Sequence, residues 1–259
     1  MSKILAITNQ KGGVGKTTTT VNLAASLGAA KQRVLLIDLD PQGNATMGSG
    51  INKADLEITI YDVLMGEKSV AEARIRSSAC KYDVLPANRE LAGAEIELVD
   101  VEGREMRLKE ELQPVLSEYD YILVDCPPAL NLLTLNGLCA AKSVMIPMQC
   151  EYYALEGLSD LVNTIRKVRE NLNPDLEIEG LLRTMFDPRN ALAQQVSDQL
   201  QQHFGDKVYR TVIPRNVRLA EAPSFGIPAL YHDSQSKGTL AYLALAGEML
   251  NNSMAQVAA

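Results

Sequence analysis

The sequence predicts an α/β fold built on a doubly wound, mainly parallel sheet. Seven short aliphatic and β-branched runs, KILAIT, RVLLID, YDVLPA, YDYILVD, SVMIPM, IEGLLRT and VYRTVI, recur along the chain with helix-length segments between them. That alternation places helices on both faces of a parallel sheet. The runs are apolar without strict alternation, as strands covered on both sides require. Composition is the third observation: 259 residues, 46% hydrophobic and 22% charged, with no Pro/Gly/Ser-rich linker and no internal repeat. A single domain over residues 1–259 is therefore expected.

KILAIT reads as the first strand, and Thr17 to Ala30 as the helix that follows it. Glu102–Ser117 has apolar residues near a 3.6 period and predicts a second helix. Leu155–Leu172 predicts a third, with Leu158, Leu161, Val162, Ile165 and Val168 on one face. SKGTLAYLALAGEMLNNSM reads as a closing helix with Leu240, Leu243, Gly247 and Leu250 on its apolar face. Ligands of such sheets bind beyond the carboxyl ends of the strands, so polar residues there are the functional candidates.

Several classes are disfavoured. MSKILAITNQ lacks the basic region, apolar core and cleavage site of a signal peptide. No run approaches the roughly 18 apolar residues of a membrane span. Cys80, Cys126, Cys139 and Cys150 form no CxxC pair, so reduced thiols in a cytoplasmic protein are expected. The four are read as mostly buried, oxidation of Cys126, beside a candidate aspartate, being the alternative. Net charge is -7, yet residues 180–240 carry 7 Lys/Arg against 5 Asp/Glu. A local basic face within an acidic protein is what nucleic acid would feel.

Residues 9–18 read NQKGGVGKTT, between the first strand and the first helix. Glycines at 12, 13 and 15 let backbone N–H groups turn inward around phosphate oxygens. The helix start adds its positive dipole end. Lys16 would reach the β- and γ-phosphates and Thr17 would ligate Mg²⁺. The pattern GxxxxGK[ST] is met except at its first position, Gln10. The fold is thus expected to be of the P-loop NTPase type, holding a nucleotide and Mg²⁺ with Gly12, Gly13, Val14, Gly15, Lys16, Thr17 and Thr18 around the phosphates; that the nucleotide is ATP/ADP is implied by the resemblance given below. Lys11 is an extra lysine in the same loop. It is either a solvated charge or a second cation for a transferring phosphoryl group, reaching the nucleotide of a facing subunit.

Asp38 and Asp40 end the second strand, and Asp125 ends YDYILVD. An aspartate closing an apolar strand beside a phosphate loop is the expected Mg²⁺ holder, directly or through water. The residues after Asp125 are Cys126, Pro127 and Pro128, so no glutamate is present there to orient water. Asp40 is the best substitute, and slow turnover follows.

KGGVGKTT, LLIDLDPQGNAT, ILVDCPP, QCEYYALEGL and VIPRNVRLAEAPS together resemble the ParA/Soj branch of the ParA/MinD superfamily, the chromosome-partitioning ATPases, over most of the chain. The resemblance implies an ATP-sandwich homodimer in which Lys11 acts across the interface. It implies that Asp40 serves hydrolysis, Asp38 lies near the metal, Pro214 and Asn216 contact adenine, and Glu151 contacts ribose across the dimer. It also implies nonspecific double-stranded DNA and a ParB/Spo0J-like protein as partners, and a nucleoid-associated location. Arg183, Arg189, Arg210, Arg215 and Arg218 supply cations for DNA phosphates, with Arg189 and Arg218 the first choices. No helix-turn-helix or aromatic platform accompanies them. The closing segment has no Lys or Arg after Lys237, against the basic face that a membrane-docking tail needs. The cysteines lack the contexts of an iron–sulfur reductase of the same superfamily.

Overall fold

The computed structural model describes residues 2–258. Its strands are β1 (Lys3–Ile7), β2 (Val34–Asp38), β3 (Ile75–Arg76), β4 (Asp83–Leu85), β5 (Tyr121–Asp125), β6 (Ser143–Met148), β7 (Glu177–Phe186) and β8 (Val208–Pro214). Its helices are α1 (Lys16–Ala29), α2 (Asn44–Gly48), α3 (Ile60–Met65), α4 (Val70–Ala73), α5 (Leu91–Glu97), α6 (Arg107–Leu112), α7 (Leu132–Ala140), α8 (Ala154–Asn171), α9 (Ala191–Phe204), α10 (Val217–Glu221), α11 (Ala229–His232) and α12 (Lys237–Ala258).

All eight strands form one sheet in the order β3-β4-β2-β5-β1-β6-β7-β8. Every pairing is parallel except β3 with β4. The seven expected strands are present. The eighth, β3, is two residues long on the sheet edge, too short to leave a periodic signal.

Alternate strand residues feed two apolar clusters, one on each face. Ile4, Ala6, Leu35, Ile37, Ile122 and Val124 pack toward α3, α5, α6, α7 and α8. Leu5, Ile7, Leu36, Leu123 and Met145 pack toward α1 and α12. Each fully buried aliphatic side chain contributes about 1.5–3 kcal/mol. Burial on both faces explains why the strand runs are apolar throughout.

Two expected helices differ in detail. Residues 102–117 do not form one helix: two turns of α-helix at α6 are flanked by 3₁₀ turns at Arg104–Met106 and Gln113–Glu118. Gly103, at φ 70, opens the segment and Pro114 removes an N–H donor at the start of the second 3₁₀ turn. The apolar face of α12 is Tyr242, Leu245, Ala246 and Met249, while Leu240 is 48% exposed. The helix is rotated from the expected face because the Tyr242 hydroxyl lies 3.0 Å from Thr19 Oγ1 in α1 and anchors that side.

Candidate functional site

At the carboxyl ends of β2, β5 and β1, which are neighbours in the sheet, the loop after β1 turns into α1. Asn9 fixes the start of that loop. Its amide donates to the Pro147 carbonyl at 2.8 Å, and its Oδ1 accepts from Lys11 N at 3.0 Å. Further along, Thr184 Oγ1 donates to the Val14 carbonyl at 2.7 Å. The loop is thus pinned to the ends of β6 and β7. Gly13 (φ 74) and Gly15 (φ 90) take the left-handed conformation that side chains resist. A Cβ at Gly12 or Gly13 would meet no protein atom within 4 Å, so the loop's outer side is open. The helix begins at Lys16, one residue before the expected Thr17.

Lys16 is only 7% exposed, and its Nζ donates to the Lys11 carbonyl at 3.1 Å. Burial lowers its pKa, opposed by the nearby Asp125, Cys126 and Asp40. A buried ammonium at the mouth of a glycine loop, beside a helix N-terminus, suits a polyanion such as a nucleotide phosphate chain.

Asp125 is wholly buried between two α1 hydroxyls. Thr17 Oγ1 donates to it at 2.7 Å and Thr20 Oγ1 at 2.9 Å. In the sheet it registers against Asp38 of β2, also wholly buried. Burial, and next the Asp38 carboxylate, pushes the Asp125 pKa well above the carboxylate range. Burial likewise raises Asp38, against hydrogen bonds from the Thr46 N–H and hydroxyl, both 2.8 Å, and from Asp40 N, 3.1 Å. Asp40 is half-buried, and its Oδ1 accepts from Gln42 N at 2.9 Å.

Two neighbouring buried carboxyl groups, each accepting from threonine hydroxyls, form once ionised a donor set suited to a hard divalent cation. Among the described residues no three His, Cys, Asp or Glu side chains converge into a metal cluster, so protein groups alone do not complete a coordination shell here. Thr17 and Asp125 would hold Mg²⁺, the remaining ligands being phosphate oxygens and water. When bound, Mg²⁺ neutralises charge on the β- and γ-phosphates.

The other predicted residues lie around the rim of this end of the sheet, in the segments that follow β1, β6, β7 and β8. Lys11 Nζ pairs with Glu151 Oε2 at 2.5 Å, and both side chains are about half exposed. Thr18 lies half-buried one residue beyond Thr17. Pro214 closes β8, and Asn216 caps α10 by accepting from Leu219 N at 3.3 Å. Arg189 and Arg218 are exposed, each in an ion pair. Arg183 leaves the expected basic patch: its guanidinium turns inward to Ser197 Oγ at 2.8 Å and the Tyr209 carbonyl at 2.7 Å. Cys126 is 1% exposed, and burial pushes its thiol pKa far up. That makes it an inert thiol, in line with the reading of mostly buried cysteines and against the alternative of oxidation sensitivity.

Sequence reasoning missed Asn9, Thr20, Thr46 and Thr184. The four consecutive threonines at 17–20 carried a usable signal for one of them, because Thr20 lies three residues after Thr17 on the same helix face. Thr46 and Thr184 carried none, being hydrogen-bonded across folds of the chain.

Comparison with known proteins agrees with this geometry. The AAA domain family matches residues 2–178. The chain is 57% identical to the sporulation initiation inhibitor protein Soj of Bacillus subtilis, covering 97% of this chain and all of that one. It is 52% identical to the chromosome partitioning protein ParA of Myxococcus xanthus, covering 96% and 88% of the two chains. Its fold is similar to a crystal structure named cobyrinic acid a,c-diamide synthase from Mycobacterium smegmatis, with bound ADP and magnesium. There the TM-score is 0.86 and identity 37%, over 98% of this chain and 96% of the other. Identity above half over nearly the full length, on a sheet of this order with this phosphate loop, places the chain in the ParA/Soj family of chromosome-partitioning ATPases, which bind ATP and ADP with magnesium.

Proposed function

We propose that the protein is an ATP-driven dimerisation switch for chromosome or plasmid partitioning. ATP brings two subunits face to face, and the dimer holds double-stranded DNA through its phosphates without sequence preference. Slow hydrolysis, stimulated by a ParB/Spo0J-like protein, releases it. The protein so used is cytoplasmic and associated with the nucleoid.

One observation carries the reading. The two lysines of one loop point to different places: Lys16 is buried behind the loop, while the Lys11 ammonium sits on the exposed rim against Glu151. A cation there is placed to meet a facing subunit. In this reading Lys16 and the N–H groups of residues 12–18 bind the phosphates, and Pro214 with Asn216 holds adenine. Thr17, Asp125 and, behind them, Asp38 form the metal side. Asp38 also fixes the backbone of Asp40. Asp40 orients the attacking water and takes up its proton. Lys11 stabilises charge on the phosphoryl group of the partner's nucleotide, and Glu151 of the same rim contacts the partner's ribose. Arg189 and Arg218 contact DNA phosphates.

No membrane contact enters the reading. Among the described residues no helix is long and apolar enough to cross a membrane, and Tyr242, Leu245, Ala246 and Met249 of α12 are buried. Mixing two crippled variants tests the trans arrangement. Lys11→Ala and Asp40→Ala should each be nearly inactive alone. Mixed, they form heterodimers in which the Lys11→Ala subunit keeps its own Asp40 and receives Lys11 from its partner. ATPase activity should reappear in the mixture; its absence overturns a trans role for Lys11.

A further inference from the structure

Both arginines assigned to DNA are already occupied by carboxylates of their own chain. Arg189 donates through Nε and Nη2 to the two oxygens of Asp187, at 2.9 and 2.8 Å, a two-pronged pairing. Arg218 donates through Nη1 to Glu221 Oε2 at 2.8 Å, with its Nε 3.3 Å from Asp233 Oδ2. Glu221 is also 3.6 Å from His232 Nε2, and the His232 ring stacks on Phe225 at 4.8 Å. This packing holds the acidic partner of Arg218 in place. Arg210 and Arg215, exposed on the same stretch, form no ion pair among the described residues.

We propose that Asp187 and Glu221, the latter helped by Asp233, are internal competitors of DNA phosphate that hold down the affinity of this surface. The proposal rests on the reading that Arg189 and Arg218 contact DNA. A guanidinium fork fits a carboxylate and a phosphate in the same two-pronged way, so the two anions exclude each other. When phosphate takes the arginine, the freed carboxylate is left beside the DNA backbone, where it repels it. It also gathers a cation, which cancels part of the counterion release that drives binding. The gain per contact is therefore smaller than for an unpaired arginine. A dimer presenting two copies of each pair binds DNA weakly enough to let go. Release after each hydrolysis then does not depend on the loss of the dimer alone.

The test is binding of the full chain to a labelled nonspecific duplex, by fluorescence anisotropy across a salt series, with ATP and magnesium. Asp187→Asn and Glu221→Gln keep the side-chain shape at these half-buried surface positions. Each should tighten binding about threefold to tenfold, and each should steepen the dependence of log K on log salt by about one ion per contact released. The gain should vanish when the paired arginine is also replaced, in Asp187→Asn/Arg189→Ala and Glu221→Gln/Arg218→Ala. Tightening that persists without the arginine is a general charge effect and overturns the proposal, as does no tightening at all. In both cases weaker binding by Arg189→Ala and Arg218→Ala leaves the DNA reading standing. If those single variants bind as the wild type does, the DNA assignment of the two arginines falls, and the competition with it.

Discussion

The phosphate end of the sheet and the arginine face are held by opposite kinds of interaction. At the phosphate end, Asp125, Asp38, Thr20 and Lys16 are buried, and their partners come from β5, the glycine loop and the helices α1 and α2. On the arginine face, Arg189 and Arg218 pair with carboxylates two to fifteen residues away, at the surface. Buried groups left without partners cost free energy, so their arrangement is fixed by the fold. Exposed ion pairs contribute little and exchange readily. The first region is built for a defined ligand in one geometry, the second for a repetitive polyanion in many.

The sharpest way to break this contrast is at Lys16. Lys16→Ala removes the buried cation of the loop and should lower ATP turnover at least about a hundredfold. ATPase assays at saturating nucleotide check this, and residual turnover within tenfold of wild type would mean that the buried region is not the phosphate site.

The second test sets stability against function at Asp125. Its raised pKa means that the folded chain keeps a proton which the unfolded chain gives up near pH 4. The folded state then binds more protons between about pH 4 and about pH 8, so the Asp125 contribution falls as pH rises through that window. Asp125→Asn should flatten this dependence and leave the nucleotide-free protein more stable at pH 8, while abolishing magnesium-dependent turnover. Denaturant titrations at pH 5 and pH 8 read the difference. A wild type whose stability rises across that interval, with the variant unchanged, would contradict the account.

Thr20→Val probes the same carboxylate more gently. Loss of one hydroxyl from a buried acceptor should cost about 1–3 kcal/mol in the same titrations. Smallest of all, Arg189→Ala should leave the denaturation midpoint unchanged, because its pairing is wholly at the surface. A clear loss of stability there would show that the arginine face is structural and would blur the contrast with the phosphate end.

What the sequence made legible follows the same division. The loop at 9–18 and the aspartates at 38, 40 and 125 were readable because each is part of a contiguous run: an apolar strand, then a polar residue at its end. The strands were readable for the same reason. The partners of these residues were harder. Thr184 closes on Val14 across 170 residues, and Asn9 reaches Pro147 across 138, and no local pattern marks such pairs. Arg183 reads like its neighbours, yet it lies in β7 with its side chain directed toward Ser197 of α9, a choice made by sheet packing. The rotation of α12 was hidden because alanines and leucines fall on several of its faces, and Tyr242 with Thr19 decided among them.

Sedimentation velocity of wild type, Asp40→Ala and Lys11→Ala, with ADP or ATP and with or without nonspecific duplex DNA, tests the switch most directly. The account predicts that Asp40→Ala with ATP forms a stable dimer that travels with DNA. It predicts that every protein with ADP stays a monomer off DNA, and that Lys11→Ala with ATP fails to form the stable dimer. An ATP form of Asp40→Ala that remains monomeric and ignores DNA would contradict both the facing-subunit role of Lys11 and the partitioning switch built on it.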